Sequence, residues 1–131
     1  MVEKEKEVYL QRLRQRAMEL QRDAENVSNS RSTRLAACFD SIYLMLLAAA
    51  QLAGNYREVG QTTHPAAHVI VAGATVLGLD DEGTGEVLEL REAVTELRYE
   101  PAAWPGNVLH MLALARHVAE LWRAGGWETT S

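Results

Sequence analysis

Four side chains in the C-terminal third have types and spacing suited to phosphate chemistry: Arg91, Arg98, His110 and His117. The arginines are seven residues apart and so are the histidines, so each pair projects from one side of its own helix. If the two helices form an antiparallel hairpin around Pro101 to Pro105, Arg98 faces the level of His110, and Arg91 that of His117. Arg forks two phosphate oxygens and His acts as an acid or base near neutral pH. With Tyr99 beside Arg98, this constellation would hold a nucleotide or an RNA phosphate. The plainer reading outweighs it: the arginines bridge Glu side chains, and the His rings cap the edges of a core.

His64 and His68 are one helical turn apart, which gives half of a metal site. No Glu follows the first His and no third ligand is near, so an exposed His pair at a helix start is the better account. Asp80, Glu82, Thr84 and Gly85 alternate like a calcium loop, but its twelfth position falls on Arg91. An acidic connection that caps the next helix fits better. The stretch from Gly73 to Gly78 lacks the lysine of a phosphate loop. No cofactor is therefore expected.

These residues need helices to position them. Leu10, Leu13, Ala17, Leu20 and Ala24 recur at helical spacing in a one-faced helix over 3–26. Asn29, Ser30 or Ser32 can cap the next helix, the very apolar stretch Arg31 to Gly54. Leu35, Phe39, Ile42, Leu46 and Ala49 weight one side of it, while Leu44, Leu47, Asp40 and Gln51 lie on the other. Two apolar faces need two coverings, which suggests a further neighbour or a second subunit. Asp40, the one acid there, is expected to pair with an Arg, His or Tyr from another helix, such as Tyr99 or an Arg of a dimer mate.

A third helix runs from His64 to Leu77, with Thr63 as its cap and Pro65 in its first turn, and stops at Gly78. A fourth spans about Gly85 to Arg98, with Val87, Leu90, Val94 and Leu97 as its seam. The last spans about Pro105 to Ala124, with a seam of His110, Leu114, His117 and Leu121.

The 131 residues suit one domain, an up-and-down all-α bundle of four to five helices: an amphipathic helix within 1–28, a bundle over 30–124 and a tail at 125–131. A net charge of −5 argues against a broad nucleic-acid surface, although a local Arg cluster could still hold one phosphate. Cys38 is the only cysteine and lies in the apolar helix, which points to a buried thiol in a reducing compartment. The N-terminus has no apolar signal core, and Asp40 and Gln51 interrupt the membrane-length run. A cytoplasmic protein without a membrane span is expected.

Three stretches carry a family resemblance. The first holds Ser32, Arg34, Ala37, Asp40, Tyr43, Ala49 and Gly54; the second is His64 to Leu79; the third is Arg98-Tyr99-Glu100-Pro101. Together they resemble the HEPN family of small helical bundles. The resemblance implies a homodimer in which Arg34, Asp40 and Tyr43 serve structure or the dimer contact, an active site, where one exists, at the dimer cleft, and a place in toxin–antitoxin or defence systems beside a partner from a neighbouring gene. Active members carry an Arg, four to six residues, then a His close before the Tyr turn. Here Arg91 is followed by EAVTELRYEP, with no His until His110. The expectation is a non-catalytic binding or regulatory module, and the alternative is a divergent ribonuclease or nucleotide-binding protein using the Arg and His cluster.

Overall fold

Helices form where capping residues meet apolar spacing. In a computed structural model, which describes residues 2–55 and 66–125, they are α1 (Val2–Glu25), α2 (Arg31–Ala50), α3 (Ala67–Leu77), α4 (Asp81–Glu96) and α5 (Val108–Ala124). The fold is the expected all-α bundle, and no strand occurs among the described residues. Ser30 caps α2 by accepting from Thr33 N at 3.2 Å, and Gly78 ends α3 in the left-handed region at φ 81°. Gly54, at φ 98°, closes a π-helical turn, Gln51–Asn55, that prolongs α2. Thr63, His64 and Pro65 lie outside the described residues.

α2 is the central element and packs on α1, α3, α4 and α5. It runs antiparallel to α1: Ser41 Oγ donates to Ala17 O at 2.8 Å, and Arg34 Nε donates to Ala24 O at 2.8 Å, satisfying a carbonyl of the last α1 turn. It runs parallel to α5, pinned at one end by Arg31 and at the other by the Trp122 indole, which donates to Met45 O at 3.0 Å. Leu35, Phe39, Ile42 and Leu46 are fully buried, each stabilising by about 1.5–3 kcal/mol through lost apolar surface. α3 crosses α2 at Gly73, where only a hydrogen side chain fits against the Leu46 backbone.

On the second face of α2, Leu47 and Gln51 are buried within the chain, Leu44 is half-buried and Asp40 is exposed. The stretch Arg31–Gly54 is long and apolar enough to cross a membrane by composition alone, yet 72% of its apolar window is buried inside the bundle. Its apolarity is that of a core helix.

Two boundaries and one face differ from the sequence reading. α4 begins at Asp81 rather than near Gly85, because Asp80 caps it through Gly83 N at 2.7 Å and Asp81 and Glu82 favour its positive end. α5 begins at Val108, capped by Asn107, which accepts from His110 N at 3.2 Å. Its buried face is Met111, Leu114, Ala115, Val118 and Trp122, not the seam through His110 and His117. Both His rings are exposed, as polar rings without buried partners should be.

Candidate functional site

The candidate histidines lie on α5 and the candidate Arg91 on α4, and residues 97–107 set how the two helices meet. This connection makes a 3-10 turn at Pro101–Ala103 and then bends at Gly106, where φ is 104°, before Asn107. Trp104 is buried, and its indole N–H donates to Leu97 O at 2.8 Å. Arg31, in the first turn of α2, donates to the carbonyls of Trp104 at 2.7 Å, Gly106 at 2.9 Å and Pro101 at 3.4 Å. The guanidinium thus ties the connection to the core and carries the start of α5 back along α4.

As a result His110 meets Glu86, not Arg98. Its Nε2 pairs with Glu86 Oε2. On one side of this pair lies a hollow of about 130 Å³ lined by Glu86, Glu89, Leu90, Pro105, Gly106, His110 and Met111. On the other side a shallower one of about 290 Å³ includes Asp80, Glu82, Leu114 and His117. His117 accordingly lies at the level of the α4 N-terminus rather than that of Arg91.

The expected Arg and His pairs are therefore not brought together, for neither arginine lines either hollow. Arg91 is half-buried on α4. Arg98 is exposed, with its guanidinium 5.7 Å from the centre of the Tyr99 ring, and Tyr99 is 88% exposed. A hairpin around Pro101 to Pro105 would set Arg98 level with His110; with Arg31 holding the carbonyls of Pro101, Trp104 and Gly106, Glu86 lies there instead. The groups around His110 and His117 are carboxylates, which repel a phosphate.

The structural trio also has defined places. Arg34 holds the end of α1, and Tyr43 Oη accepts from Ala66 N at 3.2 Å, tying the start of α3 to α2. Both serve this chain's own fold. Asp40 is exposed rather than buried, and its opposing charge is Arg16 of α1, not Tyr99. Its surroundings still raise its pKa through desolvation, which Arg16 partly offsets. Burial pushes the Cys38 thiol up to about 11, so it is inert as a nucleophile. His68 is exposed, His64 lies outside the described residues, and no group of three metal-binding side chains occurs among the described residues.

Three features escaped sequence reasoning. Arg31 left one signal: a cation in a helix first turn opposes the dipole and so needs another role. Glu86 looked like one carboxylate among many. Gln51 is fully buried, and neither its Nε2 nor its Oε1 has a hydrogen-bond partner among the described residues. Comparison of the chain with known protein families, with characterised proteins and with solved structures finds no match in any of the three.

Proposed function

We propose that the chain is a non-catalytic, HEPN-like binding module that presents its α4–α5 face to a protein partner, in a regulatory setting such as a toxin–antitoxin or defence system. The observation that carries this reading is the Glu86–His110 pair. It occupies with a carboxylate the histidine that a phosphate site would need, and it leaves Arg91 and Arg98 outside both hollows. The helical bundle and the Tyr99 to Pro101 turn support the family likeness, and the missing His before Tyr99 supports a lack of nuclease activity. Homodimerisation rests on the likeness alone.

An NMR titration with a short single-stranded RNA tests the reading. The amides around His110 and His117 are expected to show no shift perturbation at physiological salt. Saturable shifts confined to those residues would overturn it. Light scattering on the same sample measures the oligomeric state.

A further inference from the structure

We propose that the groove between α4 and α5 docks a basic polypeptide segment, which sets Arg or Lys side chains against the α4 carboxylates and an apolar side chain on the floor between the helices. This inference rests on the reading of the chain as a binding module and names the chemistry of its partner.

Charge is the first argument. Residues 80–100 hold eight acidic and two basic side chains, a net of −6 against −5 for the entire chain. The negative field is thus concentrated on α4 and its flanks, where it steers cations in and repels nucleic acid. A second copy laid face to face would oppose carboxylates to carboxylates.

Shape is the second. The two hollows share Glu86 and His110, so that pair is the wall between them. Leu90, Met111 and Leu114 form an apolar floor, and Glu82, Glu86 and Glu89 rim it. The His110 side chain is 60% exposed, so its ring can swing into water and join the hollows into one groove. An arriving guanidinium then replaces His110 on Glu86, and the carboxylate exchanges one donor for another rather than losing its partner.

The test uses the full chain and a short fluorescent peptide with leucine and arginine at helical spacing, followed by anisotropy and by amide shifts. Binding with a Kd on the order of micromolar is expected, with shifts confined to α4 and α5. The combined Glu82→Gln, Glu86→Gln, Glu89→Gln variant should weaken it about tenfold or more while retaining the circular dichroism of the parent. The combined Glu5→Gln, Glu7→Gln, Asp23→Asn variant, which changes exposed acids of α1, should bind as the parent does. A peptide with Glu in place of Arg leaves the protein untouched and should not bind. Equal binding of that peptide, tighter binding of a short RNA, or undiminished binding by the α4 variant would overturn the proposal. So would a dimer that dissociates in the α4 variant, since it would assign the groove to a second copy. Failure to bind the Arg peptide with RNA still unbound removes this inference and leaves the non-catalytic reading standing.

Discussion

Gly73 of α3 lies directly against the backbone of Leu46: a Cβ added to the glycine would stand 2.7 Å from Leu46 Cα and closer still to its carbonyl oxygen. Backbone cannot give way as a side chain can. Gly73→Ala should therefore destabilise the fold by about 1–3 kcal/mol or more, measured by urea unfolding, even though alanine is the better helix former. An unchanged midpoint would show that α2 and α3 do not cross here.

Arg31 donates to three carbonyls of the connection between α4 and α5. Arg31→Ala should cost about 1–3 kcal/mol and shift the amide resonances of Trp104 and Gly106. Arg31→Lys should restore only part of the loss, because one ammonium cannot span the same acceptors. Equal stability of all three proteins would remove the anchor.

Gln51 is buried, and among the described residues neither of its amide atoms has a hydrogen-bond partner. Gln51→Met keeps the volume and deletes the polar atoms, so stability should rise by about 1–2 kcal/mol in chemical unfolding. A fall would mean that the amide has a partner.

Desolvation raises the Asp40 pKa, and Arg16 opposes it in part. A carboxyl whose folded-state pKa exceeds its unfolded value holds more protons in the folded state, so acidification through that range favours folding and ionisation above it opposes folding. Because Asp40 is exposed, the effect is small. Asp40→Asn should leave the Tm at pH 7 unchanged or slightly higher, with the difference vanishing as the pH falls towards about 4. A clear drop at pH 7 would instead assign Asp40 a stabilising partner.

The helices were legible in the sequence because their signals are local: Ser30 starts α2, Gly78 stops α3, and Leu10, Ala17, Leu20 and Ala24 mark the buried side of α1. The face of α5 was not, since Leu114 belongs equally to a seam through His110 and His117 and to one through Met111, Val118 and Trp122. Only burial chooses between them. The site was least legible, for its register depends on Arg31 reaching carbonyls some seventy residues away, and on a buried Trp104. No local pattern encodes that contact, and a hairpin drawn from Pro101 to Pro105 alone put His110 beside the wrong residue.

The most direct test of the central claim is RNA cleavage by the purified chain, assayed on fluorogenic single-stranded substrates beside His110→Ala and His117→Ala. All three proteins should release no more fluorescence than buffer. Turnover by the parent chain that disappears in either histidine variant would contradict it.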